Sequence, residues 1–164
     1  MTTDLRWPGK AADEEFLADG LGLIDVSVPL RASAEAVWEA FADLHGSVFF
    51  PGFREEHSAP VPGREGTVRR LSTPGGVMKF DEYYFLWDDL TRRRAFYVAG
   101  YSRRPILSTV IAEEHRVVRD GSGSVLHWRF VVEPTPFLRL LSLVVTPVLS
   151  ALLRRRFSAR LDAL

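Results

Sequence analysis

The chain has 164 residues, 46% hydrophobic and 26% charged, which is one domain's length with a globular balance and excludes wholesale disorder, collagen and coiled coil. Lys+Arg and Asp+Glu both total 21, so the net charge is zero and a general nucleic-acid binder is not expected. Cysteine is absent, which rules out disulfides, thiolate zinc sites and a cysteine nucleophile.

Residues 1–20 read as a polar arm, with five acids against Arg6 and Lys10 and with Pro8, Gly9 and Gly20 as breaks. The arm has no apolar core and is not a signal peptide, so a cytoplasmic protein is the expectation. One domain is expected over 21–164. Leu21–Leu30 alternates as a strand, with Ile24, Val26 and Val28 on one side and Leu23, Asp25 and Ser27 on the other. Ser33 suits a helix N-cap, and Ala34, Val37, Trp38, Phe41 and Leu44 recur at helical spacing behind it. A second short helical turn is expected at 48–53, around Pro51 and Gly52. Strands are then expected at 55–61, 66–72, 77–87, 94–101, 106–118 and 125–133. Thr73-Pro74-Gly75-Gly76, Asp88-Asp89 and Asp120-Gly121-Ser122-Gly123 supply turns. Sequential strands with short turns imply an antiparallel meander. From Thr135 or Pro136 a helix of roughly 28 residues, about 40 Å long, runs to the end, kinked or broken at Pro147.

The run at 137–153 reads FLRLLSLVVTPVLSALL. A bilayer span needs about 20 apolar residues, and Arg139 sits near the start of this shorter run. A buried helix lying across a curved sheet is the expectation, with membrane-surface contact as the alternative. Nearly all the basic residues are arginine, and the last thirty hold Arg139, Arg154, Arg155, Arg156 and Arg160 against only Asp162. This is either a solvated helix end favoured by the helix dipole or a contact with an anionic lipid surface or acidic ligand.

Alternation also sorts the faces of the sheet. In the long strand, Met78, Phe80, Glu82, Tyr84 and Leu86 are expected inward; Tyr83, Phe85 and Trp87 are expected outward. A tight turn at 73–76 would set Leu71 against Met78 and Arg69 against Phe80, making Arg69 and Glu82 diagonal neighbours on the inward face. Tyr97 and Tyr101 are placed inward with Ala95 and Ala99. Leu126, Trp128, Phe130 and Val132 are placed inward, and His127 and Arg129 outward. An ion pair on an apolar face is costly unless matched. Arg69 and Glu82 either satisfy each other or orient a ligand head group in an apolar pocket.

His45, His57, His115 and His127 have no metal-binding spacing, and neither a Walker loop nor a G-x-S-x-G elbow occurs. No cofactor or metal is expected. Asp81 and Glu82 point to opposite faces and form no dyad. A pocket acid or base would come from Glu82, Tyr84, Tyr97, Tyr101 or Arg69. Desolvation would raise a buried Glu82, and a nearby Arg69 would lower it.

The motifs S-A-E-A-V-W-E-A-F-A-D-L (33–44), G-T-V-R (66–69), E-Y-Y-F-L-W-D (82–88), R-R-A-F-Y (93–97) and G-S-V-L-H-W (123–128) occur in an order similar to that of the START/Bet v 1-like (SRPBCC) superfamily. The chain resembles in particular its bacterial polyketide cyclase/dehydrase-like group over about residues 21–164. The resemblance implies an α+β helix-grip fold. In it a curved antiparallel sheet of about seven strands wraps a long C-terminal helix, with two short helices after the first strand. It also implies a cavity for a small hydrophobic molecule such as a lipid or polyketide. The group has no universal catalytic motif, so no catalytic residue is carried over; Arg69, Glu82 and Trp128 fall where it often has Arg, Glu and Trp. The candidate ligand-binding residues are Arg69, Met78, Phe80, Glu82, Tyr84, Tyr97, Tyr101 and Trp128, with Phe49, Phe50 and Phe53 plugging or gating the mouth. The Phe-rich stretch and the polar arm depart from the group's usual pattern. Three functions stay open: a carrier or sequestering protein, a cyclase/dehydratase-type enzyme, and an interaction module. The last would use Tyr83, Phe85 and Trp87 as a homodimer contact, or Arg154, Arg155 and Arg156 as a peripheral membrane contact.

Overall fold

The computed structural model describes residues 5–42, 53–58, 65–105 and 108–161, with only the backbone at 41–42 and 156–161. Eight strands among these form one antiparallel sheet. They are β1 (Trp7–Pro8), β2 (Leu21–Leu30), β3 (Arg54–His57), β4 (Val68–Ser72), β5 (Lys79–Asp88), β6 (Arg93–Tyr101), β7 (Ile111–Asp120) and β8 (Gly123–Val132). The helices are α1 (Glu14–Asp19), α2 (Ala34–Ala42) and α3 (Pro136–Leu161). The strand order is β2-β8-β7-β6-β5-β4-β3, with β1 added on β6. This is the expected α+β helix-grip arrangement: a six-strand meander, β3 to β8, extended to seven strands by β2 alongside β8, with a long C-terminal helix. The second helical turn expected at 48–53 lies, but for Phe53, outside the described residues.

The acidic N-terminal stretch is tied to the sheet. β1 sets Trp7 against Tyr101 and Pro8 against Gly100, along the part of β6 that β7 leaves unpaired. Arg6 and Gly9 donate backbone N–H bonds to the carbonyls of Tyr101 and Ala99, and Lys10 donates to Thr109. Gly9 is required there, because a Cβ would stand 1.8 Å from the Val98 carbonyl oxygen. Asp13 caps α1 through its carboxylate, which accepts from the Phe16 N–H at 2.9 Å. The Ser33 hydroxyl caps α2 as expected, accepting from Ala36 at 3.2 Å.

The two faces of the sheet carry different cores. On the inner face, Ala34, Val37 and Trp38 of α2 pack on Val26, Val28, Leu30, Val117, Leu126 and Trp128. On the outer face, Leu17 of α1 packs with Ala95, Ala112 and Val131, joined by Phe16, Phe85, Leu86 and Tyr97.

Two bulges correct the expected faces. Between Tyr84 and Leu86 the register with β6 slips, so that Tyr84 opposes Phe96 and Leu86 opposes Ala95. Phe85 and Leu86 both join the outer core, and Trp87 turns inward to Trp38, 5.3 Å between ring centres. Both indoles donate to Asp89 Oδ1, at 3.1 and 2.9 Å. A second slip places the extra residue at Ala99, between Val98 opposite Glu82 and Gly100 opposite Asp81. Tyr97 therefore faces outward, beside Tyr83 and Phe85, whereas Tyr101 faces inward opposite Phe80. Strict alternation could not hold both tyrosines apart.

The turn before β5 is also longer than expected. Gly75 and Gly76 adopt φ of 73° and 68° within it, and Thr73 closes it on Met78 through backbone and hydroxyl bonds. Leu71 thus opposes Phe80 rather than Met78. The slip is two residues, so every side chain keeps its face.

α3 differs most from expectation. It packs along β2 rather than deep across the sheet. Leu138 and Leu141 meet Leu23, Val132 and Phe130 at one end, and Leu153 joins the α2 core at the other. Residues 138, 141, 145, 149 and 153 form the sheltered stripe, and the opposite stripe is exposed and equally apolar. The helix is continuous through Pro147. That proline and Leu143, whose carbonyl loses its partner, both stand on the exposed side, where water can serve the carbonyl.

Leu138 is 1% exposed and Leu140 is 70% exposed. Leu138→Ala should cost about 2–4 kcal/mol in urea unfolding, and Leu140→Ala no more than about 0.5 kcal/mol. Equal losses would mean that the helix packs by its other face.

Candidate functional site

Cross-strand rungs gather polar groups on the inner face. One rung runs Trp87–Arg94–His115–Trp128–Val26, and the next Tyr84–Phe96–Glu113–Phe130–Ile24. A third runs His57–Arg69–Glu82–Val98. Directly opposed residues share a face. These three rungs therefore bring two arginines, three carboxyls (Glu82, Glu113 and neighbouring Glu55), two histidines and Tyr84 to one side of the sheet. Apolar and aromatic residues surround them.

Arg69 and Glu82, which the expected register made diagonal neighbours, stand directly opposite each other. Arg69 donates to Glu82 Oε2 from Nε at 2.7 Å and also from Nη2. Its Nη1 lies 3.9 Å from Glu55 Oε2. The same guanidinium stands 5.5 Å from the Tyr84 ring centre and 5.2 Å from that of Phe96. Arg94, only 2% exposed, stands 5.8 Å from the Tyr84 ring and 5.4 Å from Trp87. His115 stacks on Trp128 with ring centres 5.7 Å apart.

The electrostatics follow from burial. Burial opposes the Arg69 charge, but Glu82, Tyr84 and Glu55 outweigh it and hold the guanidinium protonated. Burial pushes the Glu82 carboxyl up, against the pull of Arg69. Burial, with Glu82 adding to it, pushes Glu113 up to about 8, against Arg69, Arg94 and a hydrogen bond with Trp128. Glu113 therefore holds its proton at neutral pH, leaving the two arginines facing Glu55 and Glu82. Burial and then the two arginines drive His115 well below its usual range, so its ring is neutral. Burial also raises the Tyr84 phenol. The Tyr84 and Tyr101 hydroxyls are buried with no hydrogen-bond partner among the described residues.

The structure brings Arg69, Phe80, Glu82, Tyr84, Tyr101 and Trp128 together on the inner face, as the sequence suggests. Met78 instead lies in the turn before β5 and is 39% exposed. Tyr97 is on the outer face, because of the bulge at Ala99. Phe53 is half-buried just before β3; Phe49 and Phe50 lie outside the described residues. Sequence reading misses Arg94, Glu113, His115, Glu55 and His57. Their signal is present but inverted by expectation: Arg94 alternates with Phe96 and Val98, and Glu113 and His115 alternate with Ile111 and Val117. Among the described residues no group of three or more potential metal ligands occurs.

Removing either partner of the Arg69–Glu82 pair leaves an uncompensated charge, so Arg69→Met and Glu82→Leu should each cost about 3–5 kcal/mol. The double variant should cost less than the sum by about 2 kcal/mol or more, measured by urea unfolding in a double-mutant cycle. Strict additivity would show that the two side chains do not depend on each other.

No curated protein matches the sequence. Solved structures do resemble it. Ara h 8.0201 aligns with a TM-score of 0.63 at 11% identity, over 85% of this chain and 97% of its own. Norcoclaurine synthase from Thalictrum flavum aligns with a TM-score of 0.57 at 17% identity, over 92% of each chain. Protein Ms6760 from Mycobacterium smegmatis aligns with a TM-score of 0.58 at 13% identity, over 85% of this chain and 87% of its own. At these identities the likeness is one of fold. Residues 23–164 match the family model described as polyketide cyclase/dehydrase and lipid transport. On that match, and with this sheet and helix, the chain belongs to the polyketide cyclase/dehydrase and lipid transport family of the SRPBCC superfamily, whose membership implies hydrophobic-ligand binding.

Proposed function

We propose that the protein carries or sequesters a small apolar molecule, a lipid or polyketide-like metabolite, against the inner face of the sheet. One observation carries the reading: a charge-compensated polar cluster sits inside an otherwise apolar and aromatic face. Small-molecule sites have this make-up, with apolar walls for affinity and a few fixed polar groups for orientation. Arg94, the protonated Glu113 carboxyl and the Tyr84 hydroxyl are the groups offered to a ligand's polar end. Arg69 is engaged by Glu82 and acts as their support.

A second reading has its own support. A carboxylic acid pushed up to about 8 holds a transferable proton near neutrality. On the adjacent rung stands Arg94, a guanidinium suited to a developing oxyanion. That set fits cyclase/dehydratase-type chemistry with Glu113 as the proton donor. A protein of the same fold, norcoclaurine synthase, has been solved in complex with dopamine and hydroxybenzaldehyde.

Native mass spectrometry of the freshly purified protein, followed by organic extraction, tests the carrier reading. A reproducible apolar adduct is expected, and adding that compound back at a hundredfold excess over Kd should stabilise the fold by about 2.7 kcal/mol. A bare mass that stays unchanged after incubation with lipids and polyketides would overturn it. If the protein turns that compound over, Glu113→Gln should abolish turnover and preserve binding; equal turnover removes Glu113 from the chemistry.

Glu113 also makes a ligand-free prediction. Its folded pKa of about 8 lies above the unfolded value of 4.5. The native state then binds more protons between those two values, so stability falls as pH rises through that window. Glu113→Gln should match the wild type at low pH and gain on it up to about pH 8, by on the order of 2 kcal/mol after discounting for partial exposure. A pH-independent difference in urea midpoint would show that Glu113 titrates normally.

A further inference from the structure

The outer stripe of α3 has no role in the ligand reading. Phe137, Leu140, Leu143, Val144, Val148 and Leu152 are each at least 56% exposed, with Leu143 at 73%. They succeed one another at helical spacing, so together they make one continuous apolar face about 22 Å long. A soluble monomer rarely exposes a contiguous apolar strip of this kind. Exposed arginines bracket the strip, Arg139 near its start and Arg154 and Arg155 at its end. The helix carries no acidic residue from Pro136 to Leu161. Its carbonyl end adds no repulsion to a cationic cap.

We infer that α3 is a membrane-docking helix that lies in the plane of an anionic phospholipid surface, with its exposed stripe in the acyl boundary and its arginines among the headgroups. An in-plane helix needs an apolar face with cationic flanks, and that is what this one presents. Charge decides against the other occupants. A second copy laid on the same stripe would bring arginines to arginines with no carboxylate on either helix. Pro136–Arg155 is long and apolar enough to cross a bilayer. A crossing would have to strip Leu138, Leu141 and Leu153 from their packing on the sheet. Docking flat keeps that packing and buries only what is already exposed. The inference is independent of what the inner face binds.

The test is flotation of the full chain with vesicles of phosphatidylcholine alone and of phosphatidylcholine mixed with phosphatidylglycerol, at low and high salt. Binding is expected on the anionic vesicles, weakened by salt. Leu140→Glu with Val144→Glu, both at exposed positions, should lower it about tenfold or more, with circular dichroism unchanged. Arg154→Glu with Arg155→Glu should remove the preference for anionic vesicles. The chain has no cysteine, so Val144→Cys takes a single environment-sensitive dye, which should shift to the blue on anionic vesicles. The same dye at Val118→Cys, on a strand away from the helix, should not shift. The inference is overturned by absence of flotation in a folded protein, or by undiminished binding of the Leu140/Val144 variant. It is also overturned by a dimer in light scattering that this variant dissolves while vesicles are ignored.

Discussion

A guanidinium buried on the inner side of a sheet is costly unless a partner compensates its charge. Arg69 and Glu82 meet that demand across β4 and β5 with two donated bonds to one oxygen. Their opposition fixes the register of the pair and sets Tyr84 and Phe96 beneath the Arg69 guanidinium. The outer face repeats the device one residue away, where Arg70 grips Asp81 at 2.7 and 2.8 Å. Adjacent residues thus lock the same two strands from both sides. A slip by one position would break both pairs at once.

The bulges then decide who joins the pair. Without the extra residue at Phe85, Trp87 would point out and the Trp38–Trp87–Asp89 contact would be lost. Without the extra residue at Ala99, Val98 and Phe96 would not lie in line with Glu82 and Tyr84. Bulges re-aim side chains at functional faces in many sheets. Here they carry Arg94 into an apolar layer and stack it against Tyr84 and Trp87. The result is a buried network whose charges balance when Glu113 keeps its proton. Such a network rigidifies the face and leaves few groups free to meet a ligand. Family membership implies a hydrophobic ligand, which suits the apolar and aromatic surroundings of this network.

The C-terminal helix has two apolar stripes, one sheltered and one exposed. Its sheltered stripe meets Leu23, Val132 and Phe130 at one end and the α2 core at the other, and its other stripe is as apolar as the first. A helix that is apolar all round belongs in a core or in lipid. Half of this one has its core. The remaining half, framed by arginines, accounts for a composition that a helix resting on a soluble sheet does not need.

The sequence by itself determined the order of the elements from β2 to β8 and α3, the strand meander, the Ser33 cap and the shared inner face of Arg69 and Glu82. These rest on local periodicity, on turn chemistry and on residues at short separation, all of which a single chain displays. It also placed Phe80, Tyr84, Tyr101 and Trp128 on the inner face. Only the tertiary structure decided the positions of Tyr97, Trp87, Arg94 and Glu113, because a bulge reverses a face by one residue and leaves no mark in the alternation of its own strand. It alone joined the acidic N-terminal stretch to β6, a contact that spans most of the chain's length. It alone decided that α3 lies along one strand with a bare apolar stripe. Composition says how apolar a helix is; which side meets the sheet depends on where the other strands stand.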